Sequence, residues 1–281
     1  MISASVVLYN TSVDLLDRVI RSYAPSEERR LYLIDNSPEP LPEACRKGWA
    51  EGIDYCFQGK NQGYGKAHNI GIEKAILENS RYHLVLNPDV LFATGVPDKM
   101  VDYADRHQDV VAMMPKVIYP DGEIQYLCKL LPTPFDLIFR RFLGNTVLTR
   151  KINDRYTLRE FGYDRIINPP CLSGCFMFLR TKTLQEKQLR FDERFFMYCE
   201  DFDLIRRLHR EGKTIFFPEV TIVHNHARES YKSKKMLRIH MRSAICYFNK
   251  YGWFSDSERT RMNRKILDEI RGNEKAMESY D

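Results

Sequence analysis

The chain has 281 residues, 43% hydrophobic and 29% charged, which suits one or two globular domains with a buried core and excludes wholesale disorder. Its formal charge of +5 is too small to imply nucleic acid, and no run approaches the ~18 apolar residues of a spanning helix. Seven scattered cysteines, with no export signal over Met1 to Asn10, read as reduced thiols in a cytosolic protein. Ile2 to Tyr9 reads as a buried strand stopped by Asn10 and Thr11. Ser12 is placed to cap a helix carrying Val13, Leu15, Leu16, Val19 and Ile20 on its apolar positions. Leu31 to Ile34 and Ile53 to Phe57 are further strands. Lys66 to Glu78 is a helix after a glycine-rich entry, and His83 to Leu86 is a fourth strand. Phe135 to Phe161 is irregular. Cys171 to Leu179 reads as a strand and Asp201 to Arg210 as a helix. Thr214 to Phe217 and Val220 to Val223 read as two short strands split by Pro218. Strands alternating with helices predict parallel pairing in an α/β sheet.

Polar residues follow the strands repeatedly: Tyr9-Asn10, Asp35-Asn36 and Asn87-Pro88-Asp89. In an open α/β sheet such loops meet around one crevice at the carboxyl ends of the strands, although any one of them is also an ordinary turn. Asn61-Gln62-Gly63-Tyr64-Gly65-Lys66 is a glycine loop entering a helix. It fits either a phosphate cradle or a plain helix entry; the Walker and dinucleotide spacings are absent. Asp89 could hold a hard divalent cation. Glu200, Asp201 and Asp203 either complement a helix dipole or supply a general base beside an apolar wall. His224 and His226 would share a face of a strand as metal ligands or as hydrogen-bonded structural groups. Cys171 and Cys175 lack the second pair of a zinc site, and no protease or esterase signature occurs.

In chain order, Val6-Val7-Leu8-Tyr9-Asn10, Ile34-Asp35-Asn36-Ser37, Asn61-x-Gly63-Tyr64-Gly65-x-Ala67-x-Asn69-x-Gly71 and Leu86-Asn87-Pro88-Asp89 are followed by three further motifs. These are Ser173-Gly174-Cys175-Phe176-Met177, the block from Phe195 to Leu204, and Pro218 with His224. Together they resemble the family 2 inverting glycosyltransferases of the GT-A fold, and are most similar to the bacterial rhamnosyltransferase branch, over about residues 1 to 230. The resemblance implies a Rossmann-like, mostly parallel central sheet. Residues 1–115 would form a nucleotide-sugar half, 116–230 an acceptor and catalytic half, and 231–281 a helical, basic extension. It also implies roles. Tyr9, Asn10 and Asp35 would line the base pocket; Asn61, Gly63, Lys66 and Asn69 would belong to the nucleotide loop. Asp89 matches the last carboxylate of the DxD motif, whose first position is here Asn87, leaving the metal one acidic ligand fewer. His224, with His226 as substitute, would complete a Mg²⁺ or Mn²⁺ site. Asp201 matches the catalytic base, with Glu200 beside it. Lys66 or Arg228 would serve the diphosphate if no metal did.

The implied reaction is inverting transfer of rhamnose from a dTDP donor to a growing bacterial surface polysaccharide or lipid-linked glycan. Galactofuranose or a hexose from a UDP donor, and a catalytically idle sugar-binding module, are the alternatives. Acceptor contacts would fall between Tyr119 and Asn168. From Tyr231 to Trp253 there are six Lys or Arg and no Asp or Glu. Leu237, Met241, Ala244, Ile245 and Phe248 follow helical spacing beside Lys234, Arg238 and Arg242. Either this helix packs on the domain with a solvated basic edge, or it docks peripherally on an anionic membrane at the cytoplasmic face.

Overall fold

A computed structural model describes residues 1–138, 147–225 and 233–278; His226, Arg228, Tyr231 and Lys232 lie outside the described residues. The strands are β1 (Ile2–Leu8), β2 (Arg29–Asp35), β3 (Ile53–Phe57), β4 (Tyr82–Leu86), β5 (Val90–Leu91), β6 (Val110–Ile118), β7 (Phe176–Arg180) and β8 (Lys213–His224). They form one sheet in the order β3-β2-β1-β4-β7-β6-β8-β5. β3, β2, β1 and β4 run parallel, as does β6 with β8; β7 is antiparallel to both its neighbours and β5 antiparallel to β8. The mostly parallel α/β sheet expected from the alternation is therefore present, with helices at the carboxyl-terminal end of the chain.

Both faces of the inner strands are covered, and all five residues of β4 are buried, the pattern of a parallel strand between helical layers. The helix α1 (Val13–Tyr23) starts at Ser12, whose side chain accepts from Leu15 N, and buries Leu16, Val19 and Tyr23. α3 (Tyr64–Leu77), which follows the short α2 (Glu43–Arg46), lies hard against β1. A Cβ on Gly71 would sit 2.5 Å from Ser5 Cβ, so only glycine permits that approach. Further along the chain come α4 (Val96–Arg106), α5 (Pro134–Leu137), α6 (Val147–Tyr156), α7 (Thr181–Glu186) and α8 (Glu200–Glu211).

β6 has no counterpart among the expected strands, and β8 is continuous where two short strands are expected. Pro115 interrupts β6 and has no N–H for the ladder. Its partner strand absorbs the defect: Phe217 faces Pro115 and Thr221 faces Lys116, so residues 218–220 bulge while the strand continues.

The last helices, α9 (Lys234–Tyr251) and α10 (Ser257–Glu278), are not an appendage. Ala244, Tyr247, Phe248 and Met262 share a buried cluster with Leu131, Phe195, Cys199 and Phe202. Ile266 and Ile270 join the main core. The Arg206 guanidinium, 2% exposed, forks onto Asp256 with two 2.7 Å bonds. α9 and α10 thus pack on cores built by the residues before them. The buried face of α9 is Ser243, Ala244, Tyr247 and Phe248; Ile245, grouped by its spacing with Ala244 and Phe248, is 43% exposed. Lys250, one of the six cations counted from Tyr231 to Trp253, turns inward, and its ammonium pairs with Asp192 and Asp203. Among the described residues no helix is long and apolar enough to cross a membrane.

Candidate active site at the carboxyl edge of the sheet

β2, β1 and β4 are neighbours and parallel, so the loops after them lie in one row, as the alternation of elements predicts. Tyr9 is 51% exposed. Asn10 takes a left-handed conformation (φ 50°) and donates its N–H to Ser37 Oγ at 2.8 Å. Asp35 is buried and accepts from Tyr55 Oη at 2.6 Å and from Ser37 N at 2.9 Å. Asn36 donates to the Gly63 carbonyl at 3.1 Å, while its own Oδ1 is buried without a partner. That leaves an acceptor available beside the loop. Asn61 Oδ1 accepts from Gly63 N at 2.9 Å.

The glycine loop is a packing joint. Gly63 has φ +92°, and a Cβ there would lie 2.3 Å from the Phe196 carbonyl oxygen. Tyr64 N donates to that same oxygen at 2.8 Å. A Cβ on Gly65 would meet Phe191 Cβ at 2.8 Å. The glycines therefore let residues 191–196 lie on the start of α3, and the helix-entry reading fits better than a phosphate cradle. Asn69 braces the same segment: its amide exchanges two 2.9 Å bonds with the Phe191 backbone. Lys66 pairs at 2.7 Å with Glu193, both half in solvent.

The loop after β4 meets the end of β8. His224 Nε2 lies 3.3 Å from Asp89 Oδ1 and 3.4 Å from Asn87 Nδ2. Gln125, which carries no motif in the sequence, fixes this imidazole. Gln125 Nε2 donates to the His224 carbonyl at 2.7 Å, so Oε1 is the end that faces Nδ1, at 2.9 Å. Nδ1 must therefore carry a proton. Nε2 is left toward Asp89. Burial disfavours the imidazolium, but the Cys175 sulfur and the Asp89 carboxylate outweigh it and raise the His224 pKa to about 10. The position favours positive charge. A carboxylate oxygen and an imidazole nitrogen 3.3 Å apart suit adjacent ligands of one divalent ion with bonds of about 2.1 Å. Among the described residues no three His, Cys, Asp or Glu converge as a metal cluster, so such an ion would need oxygens from a bound diphosphate, a mode usual for Mg²⁺.

α8 begins at the strained turn Tyr198-Cys199, with φ of 70° and 67°. Two non-glycine residues in the left-handed region need support from outside. Ser243 of α9 donates to the Met197 carbonyl at 2.7 Å, and His240 lies edge-on to Tyr198. At the helix start Asp201 accepts from Phe202 N at 2.9 Å and from Gly174 N at 3.2 Å. Tyr64 Oη donates to the Gly174 carbonyl at 2.6 Å, tying the glycine loop to the same spot. Glu200 is 5% exposed and its Oε2 has no partner. Burial and the adjacent Asp201 push its carboxyl well above the usual range. Burial raises Asp201 too, restrained by Lys129 and the two N–H groups. Of the pair, Glu200 holds the proton and Asp201 the charge.

The model of glycosyl transferase family 2 matches residues 3–184. An N-acetylglucosaminyl-diphospho-decaprenol L-rhamnosyltransferase of Mycobacterium tuberculosis is 27% identical over 76% of this chain and 73% of its own length. The rhamnosyltransferase WbbL of Escherichia coli K12 is 27% identical over 80% of this chain and 83% of its own. Solved structures agree on the fold. Staphylococcus aureus TarS with UDP-GlcNAc superposes with a TM-score of 0.57 at 14% identity, over 95% of this chain and 71% of that one. The Pyrobaculum calidifontis mannosyltransferase with GDP-Man and Mn²⁺ gives 0.57 at 13%, over 96% and 75%.

Proposed function

Since the chain belongs to glycosyl transferase family 2, we propose that it transfers rhamnose from dTDP-rhamnose, with inversion, to a lipid-linked glycan at the cytoplasmic face of the membrane. The observation that carries the reading is that two unlike groupings meet at Gly174–Cys175: an anionic Asp201 beside a protonated Glu200, held by Gly174 N, and the Asp89–His224 pair, whose neighbour Asn87 donates its N–H to the Cys175 carbonyl. In-line displacement needs that arrangement. The acceptor oxygen attacks the anomeric carbon while Asp201 takes its proton, and the bond from that carbon to the diphosphate oxygen breaks on the far side. Residues 1–115 would hold the donor, with Tyr9, Asn10 and Asp35 on the base; residues 116–230 would supply the base and receive the acceptor. Asp89 and His224 would hold Mg²⁺ or Mn²⁺, which supplies positive charge for the leaving diphosphate. The substrate in the mycobacterial relative's name supports the sugar and the lipid diphosphate.

The test is product analysis with an N-acetylglucosaminyl-diphospho-polyprenol acceptor and a panel of donors. Rhamnosyl product of inverted anomeric configuration is expected from dTDP-rhamnose. Product from a UDP-hexose alone would overturn the donor assignment, and retained configuration would overturn the mechanism.

Gln125 gives a separate check on the cation. Gln125→Leu removes the oxygen that takes the Nδ1 proton, and loss of such an outer partner typically weakens metal binding ~10–100-fold. Titration of Mn²⁺ into the dTDP-loaded protein should show it. Unchanged affinity would return Gln125 to packing.

A further inference from the structure

We propose that the outer face of α9, together with Phe254, is the surface by which this chain docks on an anionic bilayer, a proposal that rests on the acceptor being lipid-linked. A helix turns about 100° per residue, which sets Lys234, Lys235, Arg238, Arg242, Ile245 and Asn249 within one arc of about 100°. All six are exposed, and the opposite face is buried against the domain. From Ser233 to Ser255 there is no Asp or Glu. Among the described residues Lys234, Lys235, Arg238 and Arg242 make no ion pair, whereas Lys250 on the inner side is spent on Asp192 and Asp203.

The strip ends in aromatic residues. Asn249 Oδ1 accepts from Trp253 Nε1 at 2.8 Å, and Phe254 follows, 95% exposed. Phe254 also borders an open cavity of about 820 Å³ lined by Arg261, Arg264 and Lys265 of α10 together with Asp256 and Asp268. Cations of α10 therefore stand near the ring in a slight excess over carboxylates. Phosphate headgroups complement those cations. The phenyl ring and Ile245 gain only if an apolar phase lies just beyond the charge, which a bilayer offers and a soluble polyanion does not.

Co-sedimentation with vesicles tests this on the full chain. Wild-type protein should partition onto phosphatidylglycerol–phosphatidylethanolamine vesicles at low salt, leave them at high salt, and ignore phosphatidylcholine vesicles. Each cation near an anionic surface contributes about fivefold, so Lys234→Ala/Arg238→Ala/Arg242→Ala should weaken partitioning roughly 100-fold. Phe254→Ser should weaken it by about tenfold or more and leave the salt dependence. Both variants change exposed side chains and should melt like wild type. Wild-type partitioning by the triple variant, or equal binding to both vesicle types, overturns the docking surface. With acceptor dispersed in detergent, both variants should transfer sugar at the wild-type rate. Absence of transfer by wild-type protein in detergent would instead overturn the sugar-transfer reading, whatever the vesicles show.

Discussion

Asp201→Asn should lower the transfer rate by ~10²–10⁴-fold, the usual cost of losing a general base, with donor affinity spared. The substitution keeps the size of the side chain but not its proton affinity. It also turns an amide toward one of two N–H groups that now donate to the carboxylate, from Gly174 and Phe202. Donor affinity should hold because Asp35 and Asn36 lie at the other end of the row, after β2. Glu200→Gln is the discriminating partner. Glu200 is buried and already holds its proton, so a neutral amide should cost less than ~10-fold. Single-turnover rates together with dTDP titrations would measure both. Near-normal turnover by Asp201→Asn with a dead Glu200→Gln would move the base one residue back.

Folding stability should fall as the pH drops from about 6 toward 5, with a slope that approaches roughly 3 kcal/mol per pH unit only near pH 5. The cause lies beneath the site. Ser3, His83, Ser5 and His68 form a hydrogen-bonded chain in which both imidazoles are fully buried. Burial lowers the His83 pKa to about 3 and holds His68 well below the normal range. His209 is lowered to about 4, again chiefly by burial. These groups stay neutral in the folded chain and take protons once unfolded, below about 6.5. Their contribution is complete above that pH and is lost as the pH falls toward their folded values. Glu200 acts in the opposite sense, binding a proton in the fold that the unfolded chain lacks. His224, raised to about 10, also opposes the imidazoles near pH 6.5, where the unfolded chain is only half protonated at each; near pH 5 it carries its proton in both states, and three protons against one leave about two per pH unit. Urea midpoints at pH 7, 6 and 5 would show the slope, and His83→Gln should reduce it by about one proton. A constant midpoint over that range would contradict the assignment of buried neutral imidazoles.

Much of the fold was legible because burial on both sides demands mostly apolar runs. Ile2 to Leu8 and Tyr82 to Leu86 carry them, broken only by Ser3, Ser5 and His83, which satisfy one another, and with polar stops following. β6 was not legible, since Pro115 within a strand argues against a strand unless the partner bulges, and the bulge belongs to residues 218–220, about a hundred positions away. The site divides in the same way. Asp89, His224 and Asp201 stand out by residue type, but Gln125 matters only through where its amide points. The glycine loop is open to two readings in the sequence because glycine marks any close approach of backbone. One approaching group here is the Phe196 carbonyl. Asn69 gives no sequence signal of its bonds to the Phe191 backbone, more than a hundred positions away.

The turn that aims Asp201 is fastened from α9, by Ser243 on the Met197 carbonyl and by packing of Tyr247 and Phe248 behind Phe195 and Cys199. A ribosome delivers those parts in the wrong order. Asp201 leaves the tunnel some fifty residues before Asp256, whose carboxylate receives the Arg206 fork. At 5–20 residues per second that interval lasts roughly 3–10 s. For that time the nascent chain can pair β1, β2 and β4 and present the row of loops after them, while Asp201 stands on an unbraced turn. On the function proposed above, a growing chain of this kind would hold a nucleotide before it could use one, and the ligand would steady the first half while the second is still being made.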